Sequence, residues 1–407
     1  MERTGPRSIV VIALCLLAAC TRAHRPAATT SSPAPSSPPS TATPSQPSKS
    51  TIAPSLPTGF VVVDSSWVSD NVGWVLGGRG CERPSCGELV RTNDGGAHWR
   101  KVSMPNAYVT AKGQGPQRGC PPVACISKIR FANSLIGYTF GSALFMTTDG
   151  GHTWRRQAAA DLVDSLEISR GLVVRVLYTM SGCPGPCDAR IESSRAGSTI
   201  WHRLSLPNQG GDAVTTAVEG SRIYVSRYGN PAGGAGSAHA SFARSLDEGK
   251  SWSHFDDPCG SSPQGENDAI DFATAPAGTL VVLCQPRQGD SAASFVLESN
   301  NAGATFRRLH TLPLESNESG LHVSAGSSRA IAVLFTEGSS QGVVISRDGG
   351  STWMRSLVVA LSPNAGELTG FLGFQDARTA RAAFGTAYIW TTRDAGVTWR
   401  RSAPFAS

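Results

Sequence analysis

Three stretches of this chain place an acid, two glycines and an indole at one spacing. "TNDGGAHWRK" starts at Thr92, "TTDGGHTWRR" at Thr147 and "SRDGGSTWMR" at Ser346. An Asp presented by a glycine turn could be a general acid or one ligand in a metal loop. It could equally be a structural staple. The wider pattern is Ser/Thr-x-Asp-x-Gly-x-Thr-Trp, carried by Asp94 and Trp99, Asp149 and Trp154, Asp247 and Trp252, Asp348 and Trp353, and Asp394 and Trp399. At Ser299 it reads with Asn301 and Phe306 instead, and at Ser193 it decays to Arg195 with one extra residue before Trp201. A catalytic group is needed in one place, not seven, and losing the acid in two copies fits a staple. Apart from Asp247-Glu248, no copy brings more than one carboxylate, so the phrase lacks the spaced acids of an oxygen-ligand cage. In a staple, the hydroxyl and carboxylate accept turn N–H groups. Gly at the fifth position permits a positive φ, and the Trp supplies a large apolar body to bury.

The elements that carry this phrase follow from its period. The copies start at 92, 147, 193, 245, 299, 346 and 392, a mean spacing of 50 residues. Such a period, filled with short strands, is the mark of propeller blades. "IRFANSLIGYTFGSALFMTTDGGHTWRRQ" reads as four antiparallel strands, A to D, with the phrase in the C–D turn. The expected fold is all-β, a seven-bladed propeller with four-stranded antiparallel blades. The phrase resembles the Asp-box, or BNR repeat, of sialidases, sortilin-type receptors, some glycoside hydrolases and the photosystem II assembly-factor family. Seven four-stranded blades are most similar to the assembly-factor type. That resemblance implies a non-enzymatic scaffold whose partner is a membrane complex being built or maintained.

The N-terminus sets the compartment. Arg3 and Arg7 precede an apolar run that is too short to span a bilayer and has the layout of an export signal. It ends in Leu17-Ala18-Ala19-Cys20, which resembles the lipobox of bacterial lipoproteins and implies a lipid on Cys20. Residues 1–19 are then the signal and 20–58 a linker. Its Pro, Ser, Thr and Ala cannot bury enough apolar surface to offset their ordering entropy. Residues 59–407 form the propeller. The chain carries a net charge of +6. Export argues against nucleic acid as the reason, and leaves anionic lipid or acidic wall polymers. The expectation is a monomer without cofactor or metal, lipid-anchored on the extracytoplasmic side of a bacterial membrane, with a protein or envelope-polymer partner.

The exported domain, residues 59–407, has eight cysteines, an even number in an oxidising compartment. Cys81 and Cys86, Cys120 and Cys125, and Cys183 and Cys187 are close enough for local bridges, leaving Cys259 with Cys284. A metal site at Cys183-x-x-x-Cys187 is the alternative, against the usual zinc spacing. Blade connections alternate between faces, so these cysteines are expected opposite the repeated turns, with the longest insertions. Cross-linked loops are frequent binding surfaces. Arg79, Arg83, Lys112, Arg118, Arg227, Tyr228 and Arg287 are the candidate contact set on that face, since Arg and Tyr are enriched at hot spots.

An enzyme is the competing class. Sialidase chemistry needs an arginine cluster and a Tyr/Glu nucleophile pair. No Arg-Ile-Pro precedes the first copy, and Tyr224 with Glu219 lacks the matching context. Gly338-Ser339-Ser340-Gln341-Gly342 matches a nucleophile elbow but falls in a hairpin rather than between strand and helix. His98 and His152 lie inside the repeated turns. A carbohydrate-binding propeller would want paired carboxylates at the channel mouth, where Glu266 and Asp268 come nearest. The basic pairs Arg100-Lys101, Arg155-Arg156, Arg307-Arg308 and Arg400-Arg401 fall on strand D, where charge deters edge-to-edge pairing. They could also form a basic rim.

Overall fold

The computed structural model describes residues 61–78, 87–109, 124–158, 162–178, 189–206, 213–228, 241–262, 265–286, 293–315, 318–361 and 370–405. Seven antiparallel sheets follow one another along the chain, each built from consecutive strands. The inner strands are Val61–Trp67, Cys125–Phe131, Leu162–Ser169, Ala213–Glu219, Gly265–Ala275, Glu318–Ala325 and Gly370–Phe374. Blade 2 adds a two-residue strand, Tyr108–Val109, parallel to its inner strand, and blade 5 adds Ser261–Ser262. Among the described residues the single helical element is a short 3-10 turn, Pro276–Gly278. The fold is an all-β, seven-bladed propeller.

Among the described residues no sheet ladder crosses from one blade to the next, so the blades cohere chiefly through side chains. Buried apolar residues gather into seven clusters, each shared by two neighbouring blades. Between blades 1 and 2, the fully buried Trp74 stacks on Phe131 with ring centroids 3.6 Å apart. Its indole N–H donates to the Gly150 carbonyl at 3.1 Å, satisfying the one polar atom that the ring buries. The ring closes in the same way between blades 7 and 1. Val62, Val75 and Val90 pack on Ala383 and Ile389, with Phe405 covering the joint from the C-terminal side.

A repeated irregularity shapes the inner strands. In blades 1, 2, 3, 5 and 6 the A–B register slips by one residue, as between Val62 and Asp64 or between Ile126 and Lys128. Such a bulge bends a strand and re-aims the side chains that follow it. Here the residues that follow include Asp64, Lys128, Asp271 and His322, all of which line the axis.

Candidate functional site

The repeated acids can be judged from their hydrogen bonds. Six of the seven third strands stop on the Ser or Thr of the repeated phrase, so each phrase occupies the C–D turn. In blade 2, the Thr147 hydroxyl donates to Asp149 at 2.8 Å and accepts the Gly151 N–H at 3.0 Å. Asp149 accepts the Thr153 N–H at 2.9 Å and the Thr153 hydroxyl at 2.6 Å. The same bonds recur around Asp247, Asp348 and Asp394. In blade 1, the His98 ring takes the place of the second hydroxyl, 2.7 Å from Asp94. In blade 5, Asn301 keeps the pattern by accepting the Thr305 N–H and donating its amide to the Thr305 hydroxyl. The fifth-position glycines, Gly96, Gly151, Gly249, Gly303, Gly350 and Gly396, all have positive φ.

These acids are held ionised by their own turns. At Asp348 and Asp247, the following hydroxyl and N–H and then the leading Ser hydroxyl bring the carboxyl down to about 2. Asp394 also falls to about 2; burial opposes that, and the Thr398 hydroxyl and N–H outweigh it. A carboxylate so engaged is a poor proton donor near neutral pH. The fourth residue of the phrase adds a bond that needs no side chain. Gly95, Gly150, Ala196, Glu248, Ala302, Gly349 and Ala395 each donate their backbone N–H to a carbonyl in the A–B turn of the same blade.

Blade 3 departs from the alignment. Its third strand runs on to Arg195, whereas the other six end on the Ser or Thr of the phrase. Arg195 directly precedes the fourth residue, Ala196, and a guanidinium has no acceptor to offer the turn's N–H groups. It reaches Glu248 in the next blade's turn at 2.5 Å. The Gly197 N–H, deprived of its usual hydroxyl, donates to the Tyr138 phenol of blade 2 at 2.9 Å. Two contacts between blades thus replace bonds within the turn. The aromatics of the phrase, Trp99, Trp154, Trp201, Trp252, Phe306, Trp353 and Trp399, are each half-buried against one of the seven interblade clusters.

The other polar concentration lies on the axis, where inner strands from all seven blades line a cavity of about 400 Å³. Sequence reasoning passed over it. Its charged residues interrupt apolar strands ("VVVDSSW", "CISKIRF", "LVDSLEIS") and differ from blade to blade, so no repeat alignment brings them together. Asp64 is 2% exposed and accepts the Ile129 N–H at 2.8 Å and the Arg130 guanidinium at 2.7 Å. Burial works against the Arg130 charge, but Asp64 and Glu167 outweigh it, and the guanidinium holds its proton more tightly than usual. Across the channel, Asp271 accepts the Val323 N–H at 2.8 Å and faces the His322 ring at 3.4 Å. Burial pushes the Glu167 carboxyl up; Arg130 and Lys128 oppose that, and Asp271 and Asp64 reinforce it. Among the described residues no group of three His, Cys, Asp or Glu side chains could hold a metal ion.

Several residues singled out by sequence have other placements. Arg227 is buried within the strand Arg222–Tyr228, at 5% exposure, and cannot serve as a surface contact. The insertion beyond that strand suggested an exposed arginine, but the strand pairing extends through it and encloses its side chain. Tyr224 is fully buried and stacked with Phe242, so it is no nucleophile. Gly338 and Ser339 form the tight turn between two strands, as a hairpin requires. Cys259 and Cys284 are joined by a disulfide, and Cys125 is also disulfide-bonded. Glu266 and Asp268 lie on the inner strand Gly265–Ala275 of blade 5. Cys20, Arg79, Cys81, Arg83, Cys86, Lys112, Arg118, Cys120, Cys183, Cys187 and Arg287 lie outside the described residues, as does the Tyr228 side chain.

No family model matches this chain, and no curated protein matches it. Solved structures do match it in fold. An ulvan lyase of polysaccharide lyase family PL25, bound to an oligosaccharide of glucuronate and sulfated rhamnose, is 11% identical, with a TM-score of 0.51 over 82% of this chain and 92% of its own. YCF48 bound to a D1 peptide is 16% identical, with a TM-score of 0.43 over 69% of this chain and 82% of its own. YCF48 from Cyanidioschyzon merolae is also 16% identical, with a TM-score of 0.44 over 69% of this chain and 85% of its own. At 11% identity the likeness to the lyase is one of fold alone.

Proposed function

We propose that this chain is a lipid-anchored extracytoplasmic propeller that binds a protein or envelope polymer and catalyses no reaction. Residues 1–19 are the signal, Cys20 the lipid attachment site, 20–58 the spacer and 59–407 the binding domain. The observation that carries this reading is the asymmetry of the two faces. The C–D turns are six or seven residues long in every blade, whereas the B–C connections run from two residues in blades 2 and 6 to twelve in blade 4. The C–D turns spend their polar groups on themselves and on the A–B turns beside them. Variation between blades, and with it the capacity to recognise something, belongs to the opposite face. Arg79, Arg83, Lys112, Arg118, Tyr228 and Arg287 are the contact candidates there. Site-specific photo-cross-linkers placed at Arg83, Arg287 and, as a control, Asn93 in the repeated turn of blade 1 test this on intact membranes. We expect one shared adduct from the first two positions and none from the third. An adduct from Asn93 alone would reverse the face assignment. Label from a fatty-acid analogue should be lost with Cys20→Ala, and label surviving that change would remove the anchor.

One observation favours a second reading. Asp64, Glu167 and Asp271 share the axial cavity with Trp67, Phe371 and Phe374, the mixture of carboxylate and aromatic surface that a saccharide site uses. A glycan array with a chromogenic glycoside panel separates the two. Binding or turnover abolished by Glu167→Gln would favour the saccharide.

A further inference from the structure

The outer strands of this propeller are short, with one exception. Six of them, Arg100–Val102, Arg155–Gln157, His202–Arg203, Ser253–Asp256, Arg307–Arg308 and Arg400–Ser402, are two to four residues long. Four of the six carry adjacent exposed basic residues. The outer strand of blade 6, Met354–Ala360, is seven residues long and reads "MRSLVVA". Its one charge, Arg355, is tied by an ion pair to Glu318 and by its Nε to the Pro313 carbonyl at 3.2 Å. Met354 and Val358 are 44% and 46% exposed. The longest free edge therefore lacks the adjacent basic pair that deters edge pairing in four of the other blades.

This edge is also tied to blade 7. The register slips between Val343 and Val344, opposite Ser356, and the Ser356 hydroxyl turns to blade 7, where it donates to the Gly396 carbonyl and accepts the Trp399 indole N–H. Val359 and Leu361 are buried in the cluster between blades 6 and 7. The strand is thus fastened from within and, among the described residues, its outer backbone bonds to nothing. Beside its first residue stands the exposed Arg347, whose guanidinium contacts the Met354 sulfur at 3.1 Å.

We propose that the outer edge of blade 6 takes up an extended segment of a partner protein as a fifth strand. Main-chain bonds to Met354–Ala360 supply the attachment, and small or apolar residues at alternate positions lie along Val358 and Ala360. A carboxylate of the segment meets Arg347 at the end where Met354 begins. A second copy of this chain is the poorer occupant. Its matching edge contains no acid for Arg347. This proposal is independent of the face opposite the repeated turns, because it concerns the rim.

The test selects a displayed library of nine-residue segments on the full-length chain and carries the most enriched one forward as a labelled synthetic peptide. We expect enriched sequences to alternate small or apolar residues and to contain Asp or Glu near one end. The peptide should slow hydrogen exchange at residues 354–360 at least tenfold. Val358→Lys should weaken its binding tenfold or more, while Val358→Thr, which keeps the branched shape, should change it little. Arg347→Glu should shift the enriched end residue from acidic to basic. Failure to enrich any segment, binding untouched by Val358→Lys, or protection of other amides would each overturn the proposal. So would a dimer in sedimentation that protects these amides without peptide, since the edge would then belong to a second copy.

Discussion

At the scale of the residue, the repeated carboxylates act as acceptors within their turns, and this has a consequence in acid. Asp247, Asp348 and Asp394 titrate near 2 in the folded chain, and the cause is their bonds to the following hydroxyl and N–H. Asp94 and Asp149 are shifted in the same direction. Unfolded, such a carboxyl titrates at about 3.9. The folded state therefore binds fewer protons between those values. The stabilisation is in place above about pH 4 and is lost as the pH falls towards 2. Asn301 shows that an amide can hold the same geometry without a titrating group. Asp348→Asn should then leave stability at pH 7 little changed. It should also remove one acid's share of the stability lost between pH 4 and 2, measured by denaturant unfolding at stepped pH. An unchanged acid limb in the variant would mean that this carboxylate contributes nothing through its ionisation.

At the scale of the element, the C–D turn in six of the seven blades carries two consecutive residues in the left-handed region. At the fifth position the requirement is absolute. Gly350 has φ of +77°, and a Cβ there would overlap the Leu309 side chain. Gly350→Ala should cost about 2–3 kcal/mol, combining backbone strain with overpacking. The fourth position is looser, and blades 4, 5 and 7 fill it with Glu248, Ala302 and Ala395 at φ of 63°, 56° and 54°. Left-handed backbone costs a non-glycine residue about 1–2 kcal/mol, and glycine's extra freedom when unfolded takes back about 0.5–1. Ala395→Gly should stabilise by up to about 1 kcal/mol, seen as a higher denaturation midpoint. A loss would place the strain elsewhere. This turn was legible in the sequence because its function is local: hydroxyl, acid, glycine and indole lie within eight residues and recur. The seven blades were legible for the same reason. The axial cavity was not, because Asp64, Arg130, Glu167 and Asp271 come from separate blades and share no motif. Arg227 was misread because strand length decided its burial, and the strand's end is not marked by any residue type.

At the scale of the whole molecule, the question is how a ring made of seven self-contained sheets stays shut. Many closed rings interleave strands from the two chain ends in one blade, but here blade 1 and blade 7 are each made of consecutive strands. Closure therefore rests on side chains and a few bonds across one joint. Val62 donates its N–H to the Thr386 carbonyl at 2.8 Å. Arg381, fully buried, lies 3.5 Å from the Trp67 ring and donates to the Asp70 carbonyl at 2.7 Å. Phe405 completes the joint from three strandless residues past the last strand, its ring set where a Cβ on Gly77 would have to stand. Gly77 and Phe405 are thus two halves of one contact, 328 positions apart in the chain. Phe405→Ala should destabilise the propeller by about 2–3 kcal/mol, less than a fully buried aromatic because the residue keeps some exposure. Gly77→Ala should cost about 1–3 kcal/mol by displacing that ring. The pair gives the decisive reading. If Phe405 is what Gly77 makes room for, the methyl costs little once the ring is gone, and the double variant is no less stable than Phe405→Ala alone within about 0.5 kcal/mol. Hydrogen exchange should show the loss concentrated in blades 1 and 7. Additive costs, or protection lost evenly around all seven blades, would mean that this contact does not hold the ring closed.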